Sequence, residues 1–236
     1  MHRGRRVFAG GVPVHRRVRP CAGHDGQRRG LRQNHRRRRG GHSRQIQSLM
    51  RELSLNVLDI AENSVAANAA CIRIEVLEDT AAKTLTIGIY DNGCGMTDEQ
   101  IEKVLDPFYT TRTTRKVGLG VPLFRLAAEQ TGGSLAVTSK VGIGTNVRAV
   151  FHTDSVDCAP LGDMASTLCT LITMHPDRQF LYRQRVDARE FALDTAELAA
   201  VLDGVPFSDP AVAQWLRAYL QEHMESLYKG ENDEND

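Results

Sequence analysis

Apolar and polar positions alternate along this chain with two different periods. A period of two runs over Cys71 to Leu77, where Ile72, Ile74 and Val76 alternate with Arg73 and Glu75. It recurs over Leu85 to Tyr90, where Leu85, Ile87 and Ile89 alternate with Thr86, Gly88 and Tyr90. Both stretches predict half-buried strands, and the turn from Asp79 to Lys83 lets them pair. Spacings of three and four over Leu53 to Ala67 predict a helix instead. Leu55, Leu58, Ala61 and Val65 fall on its apolar side, and Asn56, Asp59 and Asn63 form a polar stripe.

Thr97 followed by Gln100 is a capping-box signature for a short helix ending at Leu105. Phe108 to Val117, rich in threonine and basic residues, reads as a surface loop. Leu123 to Thr131 reads as a helix stopped by Gly132 and Gly133. Leu135 to Ser139 and Thr145 to Phe151 read as a hairpin around Val141 to Gly144. Beyond Thr153, Leu161 to Met174 and Thr195 to Leu202 read as helices, and Phe180 to Val186 and Glu190 to Leu193 as short strands. Asp209 and Pro210 open a last helix to about Tyr228, with Asp209 as N-cap and proline at the first position. This order predicts an α+β fold, a mixed sheet with helices packed on one face.

Charge divides the chain unevenly. Met1 to Met50 holds 14 arginines and one acid, whereas Arg51 to Asp236 holds 16 basic and 28 acidic residues, net −12. The first segment has no helical or strand period and too little apolar surface to fold. Its composition favours out-of-frame or upstream-initiated translation, with Met50 as the start, over a nucleic-acid arm. Residues 1–49 are therefore expected to be a disordered leader, 50–153 a ligand-binding domain, 154–229 a small α+β domain and 230–236 an acidic tail. No apolar run reaches the roughly 18 residues of a membrane helix. The five cysteines form no Cys-x-x-Cys pair and read as buried thiols of a reducing compartment, so the cytoplasm is expected.

The candidate chemistry gathers at Asp91-Asn92-Gly93-Cys94-Gly95-Met96, an acid and two glycines at the end of a predicted strand. Such a hexapeptide is also ordinary turn chemistry. Its neighbours give it weight. Upstream lies the stripe Asn56, Asp59 and Asn63 within Glu62-Asn63-Ser64, ending at Asn68-Ala69. Downstream come Asp106-Pro107-Phe108, Gly118-Leu119-Gly120, Gly132-Gly133 and Gly142-Ile143-Gly144-Thr145.

Over residues 53 to 151 this ordered set resembles the GHKL ATPase superfamily of gyrase, the heat-shock chaperone, histidine kinases and MutL, whose nucleotide site is the Bergerat fold. The first half is more similar to MutL and the second to histidine-kinase catalytic domains. The resemblance implies a two-layer sandwich of the histidine kinase and heat-shock chaperone type in residues 50–153, with ATP and Mg2+ as cofactors. It implies that Asp91 accepts a hydrogen bond from the adenine amino group, which guanine lacks at that position. Gly93 and Gly95 would allow close approach. Asn63 is the candidate magnesium ligand, a hard neutral oxygen.

Asp59, one turn before Asn63, stands where related ATPases carry a water-activating glutamate, and is the candidate catalytic base. Glu62 competes by residue type but falls on the neighbouring face. Gly118, Leu119 and Gly120 open the helix expected to face the phosphates. Arg112, Arg115 and Lys116 on the loop are candidates for phosphate contact, and Thr145 is expected to line the adenine side. His152, His175 and His223 read as isolated residues. His24-Asp25 resembles a phosphoacceptor dipeptide but lacks an amphipathic helix around it.

The leading expectation is a stand-alone kinase that passes the ATP γ-phosphate to a histidine or serine of a partner protein. The alternatives are an ATPase conformational switch of the MutL or gyrase kind and a non-catalytic ATP-binding regulator. A protein partner in trans is expected and a homodimer is allowed; nucleic acid is not expected as a partner.

Overall fold

The structure is a computed structural model and describes residues 52–106 and 120–229. The described residues fall in one compact unit, Gly41–Asp236. The leader, the loop with Arg112, Arg115, Lys116, Gly118 and Leu119, and the tail 230–236 lie outside the described residues. In chain order the elements are α1 (Leu53–Ala66), β1 (Cys71–Asp79), β2 (Thr84–Asp91), α2 (Asp98–Leu105), α3 (Gly120–Gln130), β3 (Ser134–Lys140) and β4 (Gly144–His152). They continue with α4 (Met164–Met174), β5 (Gln179–Val186), β6 (Arg189–Asp194), α5 (Thr195–Val201) and α6 (Pro210–Ser226).

The strands form one mixed sheet in the order β3-β4-β2-β1-β5-β6. β1 lies near its centre, antiparallel to β2 and parallel to β5. Register aligns the apolar positions across strands: Ile74 faces Ile89 and Tyr182, and Ile89 faces Val147. All four are buried, as are Ile72, Val76, Ile87, Ala149, Phe151 and Phe180. Each large aliphatic side chain buried this way contributes about 1.5–3 kcal/mol. The alternate positions, among them Arg73, Asn146, Arg148 and Arg185, are exposed. The helices thus cover one face, and the other face is polar, as a sheet rich in antiparallel pairs permits.

Residues 154–229, expected to be a separate small domain, contribute β5 and β6 to the same sheet. Met164, Leu168, Leu171 and Ile172 of α4, with Leu216 and Leu220 of α6, join the one core cluster. Contacts run from α1 to α4 and from α4 to α6. The reason is visible in the β1 register, which has two hydrogen-bonding edges. One is taken by β2, and the other is left for β5.

Local signals explain most helix ends. Thr97 Oγ1 accepts from Gln100 N at 3.3 Å and Gln100 Oε1 accepts from Thr97 N at 2.9 Å, so both halves of the capping box form. Asp209 accepts from Ala211 N and Val212 N, with Pro210 following. Asp163 and Asp194 cap α4 and α5 in the same way, from Ser166 N and Ala196 N. The expected apolar side of α1 holds at Ala61, which is buried, and at Leu58 and Val65, which pack against the core, but not at Leu55. Leu53, Val57, Ile60 and Ala61 are buried together with Ser54, Asn56 and Ser64, whereas Leu55 is exposed. Apolar residues nearly encircle α1, so spacing alone could not choose the face that meets the sheet.

Candidate nucleotide site

Asp91 is the last residue of β2, and its backbone pairs with Ile72 of β1 and Thr145 of β4. Its half-buried carboxylate is held by three donors. Ser64 Oγ donates to Oδ2 at 2.8 Å; Gly93 N and Thr145 N donate to Oδ1 at 2.9 and 3.2 Å. A carboxylate has about four acceptor positions. One is therefore left for a donor arriving from outside, and that suits an exocyclic amine.

The turn after Asp91 is stitched on both sides. Asn92 Oδ1 accepts from Ala70 N and Cys71 N at 2.8 and 2.9 Å. Cys94 N donates to Ala67 O at 3.0 Å, and Cys94 O accepts from Gly142 N at 2.8 Å. Met96 N donates to Ser139 Oγ, whose own proton goes to Gly144 O, each at 2.8 Å. The contact of 2.9 Å between Ser139 Oγ and Thr145 Oγ1 is then donated by Thr145. The Thr145 hydroxyl then keeps its lone pairs, on a residue whose backbone N donates to Asp91. Gly93 is buried against Ala67, and Gly95 sits in the turn with φ +66 against the Lys140 carbonyl.

Gly144 has a more demanding place. Its φ is +135, and a Cβ there would overlap the carbonyl oxygen of Asp91. Only a residue without a side chain lets β4 start beside the end of β2.

At the other end of the site stand Asp59, Asn63 and Gly120. Asp59 and Asn63 are one turn apart on α1; Asp59 is half-buried and Asn63 exposed. The start of α3 comes in against Asp59: a Cβ on Gly120 would lie 2.9 Å from Asp59 Cβ and 3.0 Å from Asp59 Oδ2. Burial pushes the Asp59 carboxyl above its usual range, and the nearby negative charge of Glu62 adds to the rise. A carboxyl so shifted is a better proton acceptor once ionised. Glu62 itself turns the other way, with Oε1 2.9 Å from His175 Nε2 at the end of α4.

The donor set fits Mg2+ carried by a nucleotide, which takes one or two protein oxygens and the rest from phosphates and water. Asn63 and Asp59 offer such oxygens side by side. Among the described residues no group of three or more His, Cys, Asp or Glu could hold a metal ion by itself.

The structure thus brings Asp91, Gly93, Gly95 and Thr145 together at one end, and Asp59 and Gly120 together at the other, with Asn63 one turn along α1. Arg112, Arg115, Lys116, Gly118 and Leu119 lie outside the described residues. Three residues given no role from sequence belong to this architecture. Ser64 was within the Glu62-Asn63-Ser64 motif, and its signal is a hydroxyl on the buried side of a helix. Asn92 was within the acid-and-glycine motif but without a role, because its partners Ala70 and Cys71 belong to another element, and Ser139 gave no signal beyond its residue type.

An α+β sheet with an anchored acid at a strand end, and a helix carrying an acid and an amide nearby, defines a nucleotide-binding class. The particular family follows from comparison with known proteins. Residues 41–155 match the family described as histidine kinase-, DNA gyrase B-, and HSP90-like ATPase, and this domain belongs to the GHKL ATPase superfamily.

Curated relatives are similar to part of the chain. The chain is 29% identical over 97 residues to a putative sensor protein of Shewanella frigidimarina, covering 40% of this chain and 15% of the relative. It is 32% identical over 96 residues to the signal transduction histidine-protein kinase AtoS of Escherichia coli, covering 41% and 15%. It is 31% identical over 91 residues to the sensor histidine kinase CitA of Klebsiella pneumoniae, covering 38% and 17%. The match thus spans about a sixth of each relative's length. Among solved structures, the Aquifex aeolicus MutL ATPase domain complexed with ADP aligns with a TM-score of 0.41 at 14% identity, covering 65% of this chain and 70% of that one. No helix among the described residues is long and apolar enough to cross a membrane.

Proposed function

We propose that this protein binds Mg·ATP with adenine on Asp91 and phosphates toward Asp59, Asn63 and Gly120, and transfers the γ-phosphoryl group to a partner protein in signalling. The observation that carries the reading is the Asp91 carboxylate, fixed by Ser64, Gly93 and Thr145 with one acceptor position open. Guanine offers no amino group there, so one fixed acid selects ATP over GTP. Asn63 would hold Mg2+, which offsets phosphate charge. Arg112, Arg115, Lys116, Gly118 and Leu119 would supply further phosphate contacts. Transfer then depends on positioning and charge compensation more than on covalent chemistry.

Kinase activity is supported by the relatives reported above, two of which are named histidine kinases. The acceptor comes from another protein. His175 is engaged with Glu62, and His223 packs between Tyr219 and Phe191. Asp59 supports a second reading, hydrolysis in an ATPase switch, because a half-buried carboxylate beside the start of α3 is equipped to accept a proton from water.

The test incubates the protein with Mg2+ and ATP labelled on the γ-phosphate, with and without extract of its host. Label on a host protein, absent with Asp91→Asn, is the expected result. Acid-labile label identifies phosphohistidine and acid-stable label serine or threonine. Label released only as free phosphate establishes the switch instead, and retention of all label on ATP defeats both.

A further inference from the structure

β5 carries a polar side chain where its alternation calls for an apolar one. Phe180, Tyr182, Gln184 and Val186 occupy the buried positions of β5, and Gln184 is only 1% exposed. Removing an amide from water is costly unless its hydrogen-bonding groups find partners. Gln184 Oε1 accepts from Tyr182 Oη at 2.8 Å, and Gln184 Nε2 donates to Tyr228 Oη at 3.3 Å. Tyr228 Oη in turn donates to Glu78 Oε2 at 2.9 Å. Burial, with the Glu78 charge adding to it, pushes the Tyr228 hydroxyl up to about 12, so it keeps the proton it gives to Glu78. An amide nitrogen carries two protons. The second proton of Gln184 has no partner among the described residues.

Gln184 lines a cleft of about 240 Å³ between the start of α4 and the end of α6. These two helices are in contact, with Leu168, Leu216 and Leu220 fully buried. The walls of the cleft are Met164 and Ala165 of α4 on one side and Met224 of α6 on the other. Methionine is unbranched and adapts to the shape it meets. The loop before α4 closes one end of the cleft through Leu161 and is hooked to α1: Leu53 N donates to Pro160 O at 3.0 Å and Ser54 N to Leu161 O at 2.8 Å. The lining residues all fall within 161–228, so none belongs to the nucleotide site. At ~30 Å³ per water the space equals about eight waters, which suits a small metabolite better than a drug-sized molecule.

Charge at the mouth narrows the class of ligand. Asp163 and Glu225 line the cleft, and Glu52 Oε2 lies 3.4 Å from Asp163 N. The hydrogen bonds from Ser166 hold the Asp163 carboxyl below its usual range, so it stays ionised. Against these three acids stand Arg217, 3.4 Å from Asp163, and Lys229, 3.9 Å from Glu225. Glu78 adds a further negative charge behind Tyr228. The surroundings therefore disfavour an anion and favour a cation.

We propose that this cleft is a second ligand site, for a small carboxamide with a positive charge at its other end. The ligand carbonyl accepts the open proton of Gln184, the short chain lies between Met164 and Met224, and the cationic end turns toward Asp163 and Glu225. A site so built involves no nucleotide, so its test stands apart from that of Asp91.

The full chain, labelled with 13C at the methionine methyls, is titrated with 4-aminobutanamide, butanamide, butylamine and butanoate at pH 7. Met164 and Met224 report on the cleft, and Met96, in the turn after Asp91, serves as the control. The expected result is that 4-aminobutanamide shifts the Met164 and Met224 signals with a Kd of ~1 mM or below and leaves Met96 unmoved. Butanamide is expected to bind ~3-fold more weakly, as an exposed charge pair allows. Loss of the amide in butylamine is expected to cost ~10-fold, and butanoate is expected not to bind. Gln184→Met keeps the volume and removes the amide, with the same ~10-fold loss expected for both carboxamides. Glu225→Gln alters only an exposed side chain. It is expected to weaken 4-aminobutanamide ~3-fold and leave butanamide unchanged.

Met164 and Met224 signals unmoved by ~20 mM 4-aminobutanamide overturn the proposal. So does butylamine or butanoate binding as tightly as 4-aminobutanamide, or undiminished carboxamide affinity in Gln184→Met. If Gln184→Met does not fold, the four probes on wild type and Glu225→Gln decide. An equal response of all probes there marks a wet crevice with no ligand preference and also overturns the proposal.

Discussion

Asp91 and Asp59, the two ends of the proposed nucleotide site, are held in opposite ways. Asp91 receives three hydrogen bonds from three elements, and the turn that follows it is tied to the loop after α1 and to the β3–β4 hairpin. Asp59 is shaped by exclusion: burial, a neighbouring acid and a helix that approaches only because Gly120 lacks a side chain. Base recognition requires a carboxylate whose lone pairs point one way, so directional partners must fix it before the ligand arrives. Proton acceptance requires a shifted affinity, which surroundings provide without directional bonds. On the proposed reading, one end serves by geometry and the other by energy.

Substitutions at each end should therefore fail differently. Asp91→Asn has the largest expected effect on ligand. The amide oxygen can still accept from Gly93 N and Thr145 N, so the fold is retained, but the acceptor facing adenine is lost. ATP affinity is expected to fall at least ~100-fold by calorimetry. Gly144→Ala strikes the same end through the backbone. It forces a Cβ onto the Asp91 carbonyl at a φ that favours glycine, and about 2 kcal/mol of stability is expected to be lost. A urea midpoint equal to wild type would show that β2 and β4 yield there more easily than their pairing indicates.

Ser64→Ala removes one of the three donors to Asp91 and leaves the rest. A net hydrogen bond of about 1 kcal/mol corresponds to ~5-fold weaker ATP binding. The weakening is expected to appear without loss of selectivity over GTP, because Oδ1 remains fixed.

Asp59→Asn should show the opposite pattern, with nucleotide affinity nearly unchanged and a small gain in stability. The sign follows from the raised carboxyl. Below its unfolded-state pKa both states are protonated and Asp59 costs nothing. As pH rises, the unfolded chain ionises first, and the penalty is complete above the folded-state value. The variant is thus expected to melt higher at pH 7 and level with wild type near pH 3. Because Asp59 is partly exposed, screening keeps the difference under about 2 °C. A lower melting point at pH 7 would contradict the burial argument.

The end proposed for adenine was the more legible of the two in sequence. A strand with period two ends in an acid, and the next glycines mark the turn. Asp91, Gly93, Gly95 and Thr145 meet because β2 and β4 pair Asp91 with Thr145, a register that the apolar alternation of both strands sets. Ser64 escaped because a serine on an apolar stripe looks like any small core residue until its partner, 27 positions away, is known. Leu55 was misplaced on the apolar side of α1 for a related reason. Its polar stripe was plain, but Leu55 and Ile60 are equally apolar, and only the sheet decides which is covered.

The C-terminal segment was harder to read. Its helices and strands carried ordinary signals, and the last helix starts at Pro210 behind an Asp209 cap as the sequence indicates. Nothing local says that β5 lies along β1, because parallel pairing between strands a hundred residues apart is a property of the assembled sheet. The same distance hid the bond between His175 and Glu62, 113 positions apart.

The central claim is that the anchored Asp91 makes this an adenine-specific nucleotide site. Calorimetric titration of the wild-type chain with Mg·ATP and with Mg·GTP tests it most directly. ATP is expected to bind at least ~100-fold more tightly than GTP, because the purine oxygen of guanine would face an unpaired carboxylate. Equal affinity for the two nucleotides, or no heat with ATP, would contradict the account.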